Sequence, residues 1–520
     1  MNLSEALLAF LESPRSYPHR PAAVRSTQTH ISWVFFASPF VYKVKKPVNL
    51  GFLDFSTLEK RHHFCAREVE LNRRLSPEMY LGLTPIYENK EGFSFAETNG
   101  KIIEYAVKMR ELAPEFFLNE LLAKGVVGET EIARVIARLA RFYESEAPTP
   151  AIEEWGRPEK LKISTDENFA QVEPFVGRTI SPAALAAIGA YTNSFYAANK
   201  NLFAERIEQR RIRDGHGDLR LDHVHITAEA VTIFDCIEFN DRFRFIDIAN
   251  DLAFLAMDFD FEREHKLGVL FLRNAARELR DPGMLRLGDF YKCYRAFVRG
   301  KVESLQPNAD EHVPRASRYF RLALRYATMG SGPSVLVVMG GIATGKSTVA
   351  QQLAREMDWP VFSSDAIRKT LAKIPLTTRT SPELRGKVYS DEMTEKTYAK
   401  LVEEGLAALA TNSGVILDAT FSSRAKRDQL RKECTTAGVR LQLIELEADP
   451  REITKRLQSR EKSANEISDA RLEDLETLRA ASEPTSELAP DLVKVSTSGP
   501  VSEAIRVCLS LLAGRRAASA

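Results

Sequence analysis

Nine consecutive residues, Gly340, Gly341, Ile342, Ala343, Thr344, Gly345, Lys346, Ser347 and Thr348, put glycines, a lysine and hydroxyls where phosphate oxygens could be gathered. Glycines let backbone N–H groups turn inward, a helix starting behind them offers the positive end of its dipole, and a lysine adds an ammonium. The spacing G-x-x-x-x-G-K-S predicts that Lys346 reaches the β/γ-phosphates and that Ser347 ligates Mg²⁺, with ATP or GTP as the nucleotide. The apolar run VLVVM before the loop reads as a strand, and STVAQQLARE after it as a helix.

Other residues downstream could complete a phosphoryl-transfer site. Asp365 follows the next strand, WPVF, at an end that faces the nucleotide crevice in such a sheet, where a carboxylate could take a proton from an acceptor hydroxyl. Asp418 ends the strand VILDATF, a position suited to holding the metal directly or through water. Arg451, Arg456 and Arg460 are spaced to put at least two guanidinium groups on one side of a helix, as a lid over the triphosphate. Each has a plainer reading: a helix N-cap for Ser364 and Asp365, a sheet-end aspartate for Asp418, a solvated helix face for the arginines.

A second constellation lies upstream. HGDLRLDHV, from His216, has the layout of a kinase catalytic loop, with Asp218 placed to accept a hydroxyl proton and Arg220 to balance γ-phosphate charge. Asp235, in the strand VTIFD, suits a metal-binding aspartate. Lys43 in FVYKV is set to hold the α/β-phosphates, and Glu68 is its natural ion-pair partner. Taken singly, Lys43 and Lys45 read as an exposed strand face, Glu68 as a bonded helix carboxylate and His216 as a core histidine.

The elements that must position these groups follow from periodicity. SWVFFASPFVYKVK, 32–45, reads as a hairpin around Ser38-Pro39. Ser56 and Glu59 form an S-x-x-E capping box ahead of a helix whose Phe64, Glu68, Leu71 and Leu75 share a face. A strand at 102–107, helices over 115–147 and 182–210, strands and loops over 215–247, and helices from 250 to 328 complete the N-terminal part. The small-residue segment ATMGSGPS marks the domain boundary, with a linker at 329–334. Strands at 335–339, 360–362, 415–418, 441–446 and 492–496 then alternate with helical patterns, the mark of a doubly wound parallel sheet over 335–513. The tail 514–520 reads as frayed.

A length of 520 residues allows several compact units. The formal charge of +1 gives no global pull toward nucleic acid or an anionic membrane. Five widely spaced cysteines without a CxxC pair argue against a disulfide framework or a zinc ribbon and fit a reducing cytoplasm. No basic-flanked leader and no apolar run near the ~20 residues of a membrane span is read.

Residues 334–510 resemble the P-loop small-molecule and polynucleotide kinases, the group of gluconate kinase, chloramphenicol phosphotransferase and the zeta-toxin type, through the P-loop, SSDAIRK and LDATF. That resemblance implies Asp365 as base and Arg368 as a contact to acceptor or phosphate. Residues 25–300 resemble the aminoglycoside phosphotransferase family through VYKVKKP, HGDLRLDHV and IFDCIEFNDRFRFIDIANDLAF. This implies a protein-kinase-like fold over 1–328, with a small lobe at about 25–108 and a helical large lobe at about 109–328. The tandem looks like bacterial fusions of an aminoglycoside phosphotransferase-like domain with an ATP-binding one, α+β followed by α/β.

His223 stands where that family has a metal-binding asparagine, and no glycine-rich loop precedes Lys43. Imidazole suits hard Mg²⁺ poorly, so Asp222 or a water is an alternative ligand. The acidic cluster Glu238, Asp241, Asp247 and Asp251 reads as polar anchoring of the fold rather than as a polycation pocket. The expectation is a phosphotransferase acting on a small hydroxylated acceptor such as a sugar. Its rivals are a regulatory nucleotide-binding protein with an inactive N-terminal domain, and a nucleic-acid end kinase, the latter if the arginines at 424, 427, 431, 451, 456 and 460 converge on one groove.

Overall fold

A computed structural model describes residues 4–97, 99–306, 309–461, 467–489 and 492–518. The chain divides into two compact units, one of residues 1–164 and 200–292, the other of 165–199 and 293–520.

The first unit holds a six-stranded antiparallel sheet in the order β1 (Arg25–Gln28), β2 (Ser32–Ala37), β3 (Phe40–Lys45), β6 (Lys101–Arg110), β4 (Tyr80–Asn89), β5 (Gly92–Ser94). The hairpin at 32–45 forms as expected, with Val34 opposite Lys43. Strand alternation sorts β3 by face. Tyr42 and Val44 enter an apolar layer with Leu11, Tyr17 and Phe35, while Val41 joins the opposite layer with Cys65, Val69 and Val107. Lys43 and Lys45 share Val41's face by that same period.

The helix Leu58–Arg73 packs on this face, but its N-cap is Thr57, whose hydroxyl accepts from the Lys60 amide at 3.3 Å. The expected Ser56/Glu59 box is absent because Ser56 turns back and donates through its hydroxyl to Asp54 at 2.6 Å. Phe64 is only half-buried; Arg61, Cys65, Glu68, Val69, Leu71 and Asn72 form the covered side. Arg61 is tolerated there because Glu104 receives its guanidinium at 2.9 Å. The long strand β4 was not legible, since only part of it alternates in polarity. The rest of the unit is helical, with two small ribbons, β7 (Ile212–Asp214) with β10 (Phe245–Asp247) and β8 (Val224–Ile226) with β9 (Val231–Ile233).

The second unit carries a five-stranded, wholly parallel sheet in the order β12 (Val361–Ser363), β13 (Gly414–Asp418), β11 (Ser334–Gly340), β14 (Arg440–Glu447), β15 (Leu492–Ser496). Every residue of β11 and β13 is buried, as strands covered on both faces require. The division by packing falls elsewhere than the expected boundary at 329–334. The helix Pro182–Ala198 lies against Val501–Ala518, and both lie against Ala309–Thr328. The first of these is rich in alanine, with Ala183, Ala184 and Ala187 buried, so its partner's Ile505, Leu509 and Leu512 can approach closely. The tail is also corrected: helix continues to Ala518, with Ala517 buried, while 519–520 lie outside the described residues. Among the described residues no helix is long and apolar enough to cross a membrane.

Candidate functional site

In the second unit the loop after β11 turns through Gly340 and Gly345, at φ of +138° and +87°, with Ala343 also left-handed at 56°. Gly345 caps the helix Lys346–Met357, whose first amides therefore face the loop. Lys346 Nζ folds back to the Gly341 carbonyl at 2.7 Å. Desolvation lowers its pKa against the pull of Asp418 and Asp365, so a half-buried ammonium stands among acids. Ser347 Oγ donates to Asp418 Oδ2 at 2.6 Å. Burial pushes Asp418 up, opposed by that hydrogen bond.

Hydroxyl and carboxylate thus stand side by side as hard oxygen donors, a set that fits a magnesium ion. Asp365 sits in the first turn of the helix Ser364–Leu371, directly after β12, whose Ser363 pairs in register with Asp418. The P-loop residues, Asp365 and Asp418 therefore share one end of the sheet.

The arginines behave differently from expectation. Arg368 is buried, donating to the Val388 carbonyl at 3.1 Å and to Thr394 at 3.0 Å, with Tyr389's ring 4.8 Å from its guanidinium carbon. It braces the helices after β12, because a guanidinium without solvent must find carbonyls. Arg456 likewise anchors rather than covers: it donates to the Ala343 carbonyl at 3.3 Å and to the Thr497 carbonyl at 2.5 Å, and pairs with Glu452 at 3.0 Å. Arg460 is felt electrostatically by Lys346. Arg451 is exposed. Arg427 leaves any basic groove, being fully buried and tied to Glu487 at 2.6 Å and to the Phe421 and Pro484 carbonyls.

In the first unit Lys43 meets Glu68 Oε1 at 2.9 Å and Asp235 Oδ1 at 2.7 Å. Burial lowers the Lys43 ammonium's pKa, but Asp235 and Glu68 outweigh it and hold it well above the ordinary value. Burial likewise pushes Asp235 up, and its positive surroundings, Lys43 foremost, together outweigh burial and hold it low. Sequence reasoning missed that Lys45 takes the other oxygen of Glu68 at 2.6 Å and also binds Glu238. Its position two residues after Lys43, on the same strand face, was the available signal.

Lys45 and Glu68 are both about 1 % exposed along their side chains, so this is a sealed ion network rather than a strand face open to water. Two ammoniums serve three carboxylates, and the deficit falls on Glu238, whose pKa burial raises in spite of Lys45.

The segment HGDLRLDHV is held by Asp251, which accepts from the His216 amide at 2.7 Å, the Gly217 amide at 3.0 Å and the Tyr143 hydroxyl at 2.9 Å. Gly217 is required: at φ +84° an added Cβ would lie 2.8 Å from the Phe243 carbonyl. His216, lowered by burial, is a core histidine whose Nε2 donates to the Phe234 carbonyl at 2.9 Å. Arg220 pairs with Asp222 at 2.5 Å and stands 4.0 Å from Asp218. His223 lies between Asp218 and Asp235, 3.6 Å from an oxygen of each.

The acidic cluster acts as anchors: Asp241 and Asp247 pair with Arg244 and Arg206, and Glu238 and Asp251 are bound as described. Among the described residues no group of three or more His, Cys, Asp and Glu side chains is arranged to hold a metal unaided.

Over 410 residues the chain is 30% identical to Uncharacterized protein Rv2004c of Mycobacterium tuberculosis, the match covering 78% of this chain and 80% of that protein. This chain belongs to the same family. Uncharacterized protein Mb2027c of Mycobacterium bovis matches to the same extent, 30% over 410 residues. Residues 335–485 match the family model of an AAA domain, so this part of the second unit is a P-loop domain of the AAA type. Similar solved structures include a gluconokinase from Sinorhizobium meliloti, 24% identical over 35% of this chain and 91% of that one, with a TM-score of 0.25. The APS kinase of Mycobacterium tuberculosis, in complex with AMPPNP and APS, is 17% identical over 35% of this chain and 97% of that one, with a TM-score of 0.24.

Proposed function

We propose that this protein is an ATP-dependent phosphotransferase that moves the γ-phosphate to a hydroxyl of a small, sugar-like molecule in its C-terminal unit. The observation that carries the reading is the meeting of Lys346, Ser347, Asp418 and Asp365 at one end of a parallel sheet, joined by the 2.6 Å Ser347–Asp418 hydrogen bond. The amides of 340–348 would cradle the phosphates, and Lys346 would exchange its bond to the Gly341 carbonyl for phosphate oxygens. Ser347 and Asp418 are the residues that would hold magnesium, which when bound would offset charge on the phosphates. Asp365 is the proposed base for the acceptor hydroxyl. Arg368, bound to the Val388 carbonyl and Thr394, shapes the wall beside Asp365 rather than contacting phosphate.

The N-terminal unit is proposed as a second nucleotide site with a protein-kinase-like arrangement, supported by the order Lys43, Glu68, Asp218, Asp235 and their convergence around one ion network. A small acceptor is favoured over nucleic acid because Arg427 and Arg456 are consumed by internal partners.

The test is incubation of the full chain with labelled ATP and a pool of small hydroxylated metabolites, resolving products by mass. A phosphorylated product that disappears with Lys346→Ala and with Asp365→Asn is expected. Release of inorganic phosphate alone, unchanged by Asp365→Asn, would replace this reading with a nucleotide-driven switch.

A further inference from the structure

His223 carries an inference about which metal the N-terminal unit accepts, and it rests on the proposal that this unit binds a nucleotide. Its Nδ1 lies 2.8 Å from the main-chain carbonyl of Asp218. A carbonyl oxygen only accepts, so Nδ1 bears the hydrogen and the neutral ring presents the Nε2 lone pair on its other side. That lone pair faces Asp235 Oδ2 across 3.6 Å, while the other Asp235 oxygen is engaged by Lys43 at 2.7 Å. With the ring neutral, two electron-rich atoms confront each other with no donor between them among the described contacts.

Their separation is less than twice a metal–ligand bond of roughly 2.1 Å, so one ion could touch both. A second-sphere carbonyl fixing the tautomer of an imidazole is how metal-binding histidines are prepared. Phe234, with its ring centroid 5.7 Å from that of His223, and the His216 ring at 6.2 Å flank the imidazole.

We infer that His223 and Asp235 form a metal site in the N-terminal unit that selects a borderline ion such as Mn²⁺ over Mg²⁺. The donor set makes the selection. An imidazole nitrogen binds first-row transition ions well and Mg²⁺ poorly, whereas an amide oxygen at this position would suit Mg²⁺. With two protein ligands, the ion needs phosphate oxygens to complete its shell, so it binds with nucleotide rather than alone. The C-terminal unit, with Ser347 and Asp418, offers only oxygen. The two units are therefore set for different metals.

The experiment is pulsed electron paramagnetic resonance on the full-length protein with Mn²⁺ and a non-hydrolysable ATP analogue. Expected is modulation from a directly bound imidazole nitrogen, present in the wild type, kept in Lys346→Ala and absent in His223→Asn. Calorimetry of the analogue with each metal should show His223→Asn weakening the Mn²⁺ complex by roughly tenfold or more and improving the Mg²⁺ complex. Mn²⁺ and nucleotide bound at the N-terminal unit without nitrogen coupling overturns the metal assignment alone and identifies His223 as a charge partner of Asp235. A binding stoichiometry of one, unchanged by Lys43→Ala, overturns both this inference and the second-site reading beneath it.

Discussion

Ser347 Oγ donates to Asp418 Oδ2 at 2.6 Å, tying the first turn of the P-loop helix to the end of β13. Burial already raises the Asp418 pKa, so a cation arriving there would gain by relieving a poorly solvated carboxylate. Asp418→Asn keeps the shape and removes the charge. It should raise the Mg²⁺ concentration for half-maximal turnover by roughly 10- to 100-fold, read from a metal titration of ATP consumption.

Asp365 stands beside Asp418 and Lys346 without being needed to hold either. If it takes the acceptor proton, Asp365→Asn should lower kcat by about 10²- to 10⁴-fold and leave the nucleotide Kd unchanged. Steady-state kinetics with equilibrium nucleotide binding checks both halves. A parallel loss of nucleotide affinity would make it a structural carboxylate.

Glu68 binds Lys43 and Lys45 with its two oxygens. Burial pushes its pKa up, the two ammoniums outweigh burial, and it ends below its ordinary value. A carboxylate lowered on folding adds stability above the unfolded pKa of about 4.3, and that contribution is lost as pH falls below it. Glu68→Gln should cost roughly 1.5–3 kcal/mol at neutral pH, because Lys43 keeps Asp235 and Lys45 keeps Glu238 while each loses a charge-assisted hydrogen bond. It should also flatten the acid limb of stability. Urea unfolding of the full chain, following the N-terminal unit from pH 7 to about pH 2.5, measures both.

Gly340 has φ +138°, and a Cβ there would lie 2.4 Å from the Leu446 carbonyl on β14. Main chain cannot give way as a flexible side-chain tip can. Gly340→Ala should destabilise the C-terminal unit by at least about 1–3 kcal/mol and weaken nucleotide binding with it. Gly438→Ala, where φ is +64° but nothing lies within 4 Å, should leave nucleotide affinity unchanged. Thermal unfolding with and without ATP separates the two.

Much of the C-terminal site was legible because its rules are local. A parallel strand buried on both faces is a short apolar run, a P-loop is a fixed spacing of glycines and lysine, Asp418 is the last residue of its strand and Asp365 follows two residues after its own. The N-terminal site was legible in part. Lys43 and Glu68 pair as the order of motifs suggested, but Lys45 was passed over, because a lysine in a strand resembles any exposed one until its partners are known. The capping box failed for a local reason that sequence pattern does not rank: Asp54 competes for Ser56 and leaves Thr57 as the cap.

By itself the sequence determined what depends on neighbours along the chain: the parallel-sheet strands, the phosphate loop and the hairpin at 32–45. Only the tertiary structure decided which charges are buried together and which helices serve which sheet. Lys43 and Asp235 are 192 residues apart, Arg427 and Glu487 sixty, and the helix Pro182–Ala198 packs with one more than three hundred residues later. The physical reason is that a buried ion or an apolar helix face needs some partner, and its own local pattern does not say which. That choice is made when the whole chain excludes water at once.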